Sequence, residues 1–363
     1  MKIAIVLGTR PEIIKMSPIV RELEKKGIDF FILHTGQHYS YNMDRIFFEQ
    51  LELPQPRYNL KVGSGTHAEE TGKMMIGIEK VLVEEKPGIV LVEGDTNTVL
   101  AGALASVKIG VPVGHVEAGL RSFDESMPEE INRKIVDHIS NLLFAPTEKA
   151  KGNLLKEGID EEKIFVTGNT IVDAVYQNLK LVSKNHGKRI LDSLGIKEGN
   201  YFLVTVHRQE NVDEPRRFKN IISGLKLLEK YYNMPIIYPI HPRARKKMKE
   251  YNLDHESIIL TEPLDYLSFL ALESKAKLIL TDSGGVQEEA CILKVPCVTL
   301  RDNTERPETL EVGANIIAGT EPKRILEKVI SMIESKRNWP NPFGDGKASQ
   351  RIIRILLSIS QGI

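Results

Sequence analysis

Short apolar runs alternate with longer amphipathic segments from one end of this 363-residue chain to the other, and the alternation restarts near the middle. Strands joined by helical segments instead of tight turns must pair in parallel, since a parallel crossover needs a dozen or more residues. The pattern therefore predicts doubly wound α/β sheets. In the first half the apolar runs are 2–7, 30–35, 89–93, 113–117, 142–145 and 163–167. Between the first two lies a helical pattern over 11–26, with apolar residues at Ile13, Ile14, Ile19, Val20 and Leu23 and a stop at Gly27. A charged, helix-rich stretch to about residue 199 reads as a connection. The runs then resume at 202–206, 236–240, 258–260, 278–281, 296–300 and 316–318. The Pro-, Gly- and Asn-rich segment 338–346 precedes a last helix over 348–360. Two six-stranded halves suggest two Rossmann-like domains facing each other across a cleft, 1–169 and 170–346.

Lys plus Arg and Asp plus Glu both number 49, so the net charge is zero and binding of nucleic acid or an anionic membrane by bulk attraction is excluded. With 41% hydrophobic and 27% charged residues the composition is that of a globular protein, and no run of 18 apolar residues marks a membrane span. Cys291 and Cys297 cannot form a disulfide framework or a four-cysteine zinc site, which fits a reducing cytoplasm. The apolar N-terminal run is followed at once by charges and lacks a small-residue cleavage pattern, so it reads as a strand and not as a signal peptide. No HExxH, CxxC or clustered Asp/Asn loop points to a metal.

Ligands of open α/β sheets lie beyond the carboxyl ends of the strands, so the residues after each run are the candidates. The first run ends in Gly8-Thr9-Arg10-Pro11-Glu12, which is neither GxGxxG nor a Walker loop. Arg10 and Lys15 place two cations at a helix start, as an anion site or as solvated charges on a capped helix. Asp95 and Glu117 follow apolar strands, where an idle buried charge is expensive. Asp95 can alternatively cap the helix starting near Thr96, whereas Glu117 has no such local role. Ser126-Met127-Pro128-Glu129 matches a capping box, and Glu129 stands four residues before Arg133, so periodicity favours a structural Glu129. In the second half His207, followed by Arg208, favours an anion contact, with His241 similarly placed. Ser283, Gly284 and Gly285 run from a strand into a helix, and their hydroxyl and free N–H groups can surround a phosphate. Glu289 can reach ribose hydroxyls, unless Glu288 and Glu289 only complement the helix dipole. Arg306 either closes over that pocket or pairs with Glu305 or Glu308.

Taken in order, GTRPE with Lys15, EGDT, HVEAGLRS, PEEINR, TVHRQEN, TDSGGVQEEA and RDNTERPE resemble the non-hydrolysing UDP-N-acetylglucosamine 2-epimerases over nearly the whole chain. The resemblance implies a GT-B-like fold whose final helix (347–363) returns to the first domain. It also implies a homodimer and interconversion of UDP-N-acetylglucosamine and UDP-N-acetylmannosamine without nicotinamide cofactor or metal, supplying N-acetylmannosamine units for surface polysaccharide. Carried over by motif, Arg10 and Lys15 line the nucleotide-sugar site, Asp95, Glu117 and Glu129 are the catalytic carboxylates, and Arg133 contacts substrate. The implied role of Glu129 overrides the local reading. His207 serves the diphosphate and glycosidic oxygen, Ser283, Gly284 and Gly285 hold the diphosphate, Glu289 the ribose, Phe269 the uracil and Arg306 the closed site. Gln37 and His38 are candidates for a second, activating substrate site or an ordinary loop. A GT-B glycosyltransferase and a hydrolysing epimerase that releases free N-acetylmannosamine are the competing expectations.

Overall fold

The computed structural model describes residues 1–36, 41–182 and 184–360, apart from the side chains of 41–44, 184–186 and 360. The chain divides into two compact units, 1–177 with 343–363, and 178–342.

The first unit contains β1 (Ile3–Leu7), β2 (Phe30–His34), β3 (Tyr58–Asn59), β4 (Ile89–Glu93), β5 (Val113–Val116), β6 (Leu142–Ala145) and β7 (Ile164–Val166). They pair in parallel in the order β3-β2-β1-β4-β5-β6-β7. The expected six strands are therefore seven. β3 has two residues and no apolar run, and it forms only because Leu33 and His34 of β2 offer an open edge to Tyr58 and Asn59. All five residues of β1 and of β4 are buried, as expected of strands covered on both faces. On one face Ala4, Val6, Val90 and Val92 pack with Met74, Ile78, Val99 and Val136 from three helices.

The final helix, Ala348–Ser360, packs on the helix Arg10–Lys26 of the first unit. Its start is held by Asp173, which accepts from the N–H groups of Ala348 (3.1 Å) and Ser349 (2.9 Å) and from the Ser349 hydroxyl (2.6 Å). The Asn169 N–H also donates to the Phe343 carbonyl at 2.8 Å. These bonds draw most of the helix Thr170–Leu181 into the first unit, so the division falls after Gln177 and before Phe343 and not after residues 169 and 346.

In the second unit lie β8 (Phe202–Thr205), β9 (Ile236–Pro239), β10 (Ile258–Thr261), β11 (Leu278–Thr281), β12 (Cys297–Thr299) and β13 (Asn315–Ile317), in the order β10-β9-β8-β11-β12-β13 and all parallel. Phe202 and Val204 pack with Phe218, Leu225, Ile325 and Val329, while Leu203 packs with Leu191, Leu272 and Ala290. Alternate residues of one strand thus feed two helical layers, the doubly wound arrangement. Among the described residues no helix is long and apolar enough to cross a membrane.

Candidate active site

Each sheet reverses its direction of growth beside its first strand, between β1 and β4 in one unit and between β8 and β11 in the other. At such a switch the connections diverge and leave a crevice at the strands' carboxyl ends. Arg10, Lys15 and Asp95 follow the strands of the first switch, and His207 and Ser283 those of the second.

In the first unit β1 runs into Gly8, where a Cβ would stand 2.1 Å from Thr35 Oγ1 and 2.4 Å from Thr98 Oγ1. Glu12, in the first turn of the helix Arg10–Lys26, folds back over this turn. Its carboxyl accepts the N–H groups of Gly8 (2.6 Å) and Thr9 (3.1 Å) and the Thr96 hydroxyl. Burial outweighs those donors and pushes the group up to about 7. Lys15 Nζ lies 2.7 and 2.6 Å from the two carboxylate oxygens of Glu117 and 3.3 Å from Glu93 Oε1. Lys15 is therefore not a solvated charge, one of the two readings the sequence allowed, but is paired with carboxylates. Burial drives Glu93 well above the ordinary carboxylate range, with Lys15 opposing and Glu117, Glu12 and Asp95 reinforcing the rise. Glu117 also accepts from Asn169 Nδ2 at 3.0 Å and holds a left-handed φ of +69°. That conformation costs a residue with a side chain about 1–3 kcal/mol, which the ion pair and the amide help to sustain. The Arg10 guanidinium stands over the Phe47 ring at 5.6 Å.

Asp95 is not a helix cap. Thr96 occupies that position for the helix Asn97–Lys108, and the Asp95 carboxylate takes Arg133 at 2.5 Å. Arg133 also pairs with buried Glu130 at 2.9 Å, and Glu130 accepts the N–H groups of Ser122 (2.9 Å) and Phe123 (3.2 Å). The i,i+4 pairing of Glu129 with Arg133 is thereby replaced by an i,i+3 pairing of Glu130. The capping box fails as well: Met127 caps the helix Pro128–Ile139, and the Ser126 hydroxyl donates to Asp124. Glu129 is left exposed, with both local structural roles removed. His115 ties the loop before Asp95 to that helix, contacting the Gly94 carbonyl at 2.8 Å and Asp137 at 2.7 Å.

In the second unit a pocket of about 230 Å³ is lined by His207, His241, Leu264, Phe269, Ser283 and Val286, among others. Its organiser is Asp282, fully buried at the end of β11. Asp282 accepts the N–H groups of His207 (3.1 Å) and Arg208 (3.0 Å) and the Asn211 amide (3.1 Å), and it lies 3.2 Å from His207 Nδ1. Burial works to raise Asp282, but these donors hold it below the usual range. Ser283 caps the helix Gly284–Leu293 without using its hydroxyl for the cap. A Cβ on Gly284 or Gly285 would meet nothing closer than 3.7 Å, and the first N–H groups of a helix have no intrahelical acceptor, so they can receive an anion. Glu289 receives the Tyr266 hydroxyl at 3.0 Å. Arg306 pairs with buried Glu288 at 2.9 Å, while Glu305, despite its burial, is held down to about 2 by Arg301 and Arg208.

The unused signal was a carboxylate at the end of an apolar strand: Glu93 and Asp282 meet the criterion that singled out Asp95 and Glu117. Glu12 and Glu130 lie in a first helical turn, where a carboxylate is ordinary, so no local pattern marks them. Gln37 and His38 lie outside the described residues. Among those described, no group of three or more His, Cys, Asp or Glu is placed to hold a metal ion.

Two doubly wound parallel units, the last helix belonging to the first, define a GT-B-like protein. Within that class the chain belongs to the UDP-N-acetylglucosamine 2-epimerase family, whose model matches residues 21–357. It is 62% identical over 361 residues to the UDP-N-acetylglucosamine 2-epimerase of Methanocaldococcus jannaschii, covering 98% of this chain and 99% of that one. A crystal structure of the M. jannaschii UDP-GlcNAc 2-epimerase in complex with UDP-GlcNAc and UDP superposes with a TM-score of 0.89 at 60% identity, over 99% of this chain and 100% of that chain. The Neisseria meningitidis UDP-GlcNAc 2-epimerase bound to UDP-GlcNAc does so with a TM-score of 0.90 at 38% identity, again over 99% and 100%.

Proposed function

We propose that this protein interconverts UDP-N-acetylglucosamine and UDP-N-acetylmannosamine by inverting C2 while the sugar returns to UDP, without hydrolysis. The observation that carries the reading is the carboxyl set of the first unit: Glu117 clamped on Lys15, Asp95 on Arg133, and Glu129 exposed with no structural duty. A binding protein or a simple glycosyl donor site has no use for three such groups.

The pocket of the second unit takes the nucleotide, with Phe269 and Leu264 against the uracil and Glu289 on the ribose diol. The diphosphate meets the Ser283 hydroxyl and the N–H groups of Gly284 and Gly285. The C2–H of the sugar is not adjacent to a carbonyl, so a carboxylate cannot remove it directly at a useful rate. Departure of UDP gives C1 oxocarbenium character and acidifies C2–H; loss of that proton leaves 2-acetamidoglucal with UDP still bound. Helix N–H groups, His207 and Arg306 stabilise the leaving diphosphate, the kind of electrostatic assistance worth about 3 kcal/mol per donor. One carboxylate takes the C2 proton, another returns a proton to the opposite face, and UDP re-adds at C1. Free thiols at Cys291 and Cys297 support work in a reducing cytoplasm. The family supports a homodimer and a supply of N-acetylmannosamine units for surface polysaccharide.

The test is proton NMR of the purified protein with UDP-N-acetylglucosamine alone. A new anomeric signal of UDP-N-acetylmannosamine, reached also from the reverse direction, supports the reading; release of free N-acetylmannosamine or an unchanged spectrum refutes it.

A further inference from the structure

The second unit buries a second carboxyl beside the one assigned to the ribose, and nothing in the mechanism above uses it. Glu273, on the helix Tyr266–Lys275, is fully buried, and neither of its oxygens meets an N–H or O–H donor among the described residues. Its neighbour is the carboxyl of Glu289. Two ionised carboxylates in contact away from water repel each other and have no hydrogen to share; one proton between them converts the contact into a strong hydrogen bond. The titratable groups that interact with Glu273 are Glu289 from the helix Gly284–Leu293, Tyr266 of its own helix, Tyr201 before β8 and Cys297 on β12. None of these can carry a positive charge, and among the described residues no cation counters the rise of Glu273.

We propose that Glu273 is a neutral carboxylic acid whose O–H donates to Glu289, fixing the Glu289 carboxylate so that it accepts from the ribose diol of the nucleotide. Glu273 is thus a positioning residue that acts through Glu289, and the proposal rests on the nucleotide reading of this pocket. The Tyr266 hydroxyl, 3.0 Å from Glu289 Oε1, is a second fixed donor to the same carboxylate. With its orientation set from two sides, Glu289 does not need to be ordered when the ribose arrives. Burial raises Glu273 well above the ordinary carboxylate range, with Glu289 adding to the rise, which favours the protonated form that donates to Glu289.

The experiment is calorimetric titration with UDP across pH 6.5–9.5 for the wild type, Glu273→Gln and Glu273→Leu, with kcat and KM for UDP-N-acetylglucosamine measured alongside. Wild-type affinity is expected to weaken toward alkaline pH as the proton leaves. Glu273→Gln, which keeps a donor that cannot ionise, should bind at pH 7 within about twofold of wild type and lose the alkaline weakening. Glu273→Leu, with no donor, should bind UDP at least about tenfold more weakly and raise KM with kcat little changed. Wild-type affinity in Glu273→Leu, or equal weakening in Gln and Leu, overturns the proposal while leaving the nucleotide site intact. A wild-type protein that does not bind UDP overturns the nucleotide reading and this one with it.

Discussion

Substituting Glu12 by Gln should stabilise the protein at neutral and alkaline pH, although the substitution removes a carboxylate that accepts three hydrogen bonds. Glu12 ionises near 4.5 in an unfolded chain and near 7 in the folded protein because burial disfavours its anion. Between those values the folded state keeps a proton that the unfolded state has released. The stability contributed by the neutral acid is therefore complete below about pH 4.5, declines as pH rises, and is gone above about pH 7. At about 1.4 kcal/mol per tenfold change in proton affinity, that interval corresponds to about 3 kcal/mol. Glutamine has the shape of the neutral acid, and its amide oxygen can still accept from the N–H groups of Gly8 and Thr9. Thermal melts of wild type and Glu12→Gln should therefore separate in favour of the variant as pH rises from 4.5 to 8. At roughly 2–4 °C per kcal/mol for a unit of this size, the relative change is about 6–12 °C. The difference curve cancels the titration of groups that do not interact with Glu12; Glu93, which the Glu12 charge helps to raise, is eased in the same direction in the variant. Parallel pH profiles, or a wild type that gains on the variant as pH rises, would refute the argument and show that the three donors outweigh burial.

Three further perturbations separate structural from functional groups. Glu129→Gln touches an exposed side chain whose local structural roles are absent, so its melting temperature should match wild type while epimerisation falls by about 10²–10⁴-fold; normal turnover would remove Glu129 from the chemistry. Asp282→Ala strands the N–H groups of His207 and Arg208 and the Asn211 amide, and should cost about 3 kcal/mol and weaken UDP binding in fluorescence titrations; unaltered binding would mean that the His207 loop holds its shape unaided. Gly119→Ala sets a Cβ 2.4 Å from the Ala150 carbonyl oxygen at φ +81° and should destabilise the first unit by about 2–4 kcal/mol, read by thermal melts; a neutral result would show that this contact relaxes freely.

Most of the strands were legible because a parallel strand covered on both faces is a continuous apolar run, as in β1 and β4. β3 was not, since Tyr58 and Asn59 form a strand only by pairing with β2. The place where the units divide has a similar origin: the bonds that Asp173 accepts from Ala348 and Ser349 join residues 175 positions or more apart, and no local pattern encodes them. Candidate residues that end strands stood out by the cost of an idle charge there. Their partners did not. Whether Lys15 faces a phosphate or Glu117, and whether Arg133 takes Glu129 or Glu130, depends on side-chain directions set by packing. Glu129 shows the converse case: periodicity gave it two structural roles, and the packing of Met127 and Glu130 removed both.

The central claim is that the C2 proton is removed and replaced while the sugar ends attached to UDP. Incubation with UDP-N-acetylglucosamine in deuterated water, followed by mass spectrometry and NMR of the nucleotide sugars, tests it directly. The account predicts one deuterium at C2 of both UDP-N-acetylglucosamine and UDP-N-acetylmannosamine, with no free sugar. Epimers that form without deuterium, or a C2 that does not exchange, would contradict it.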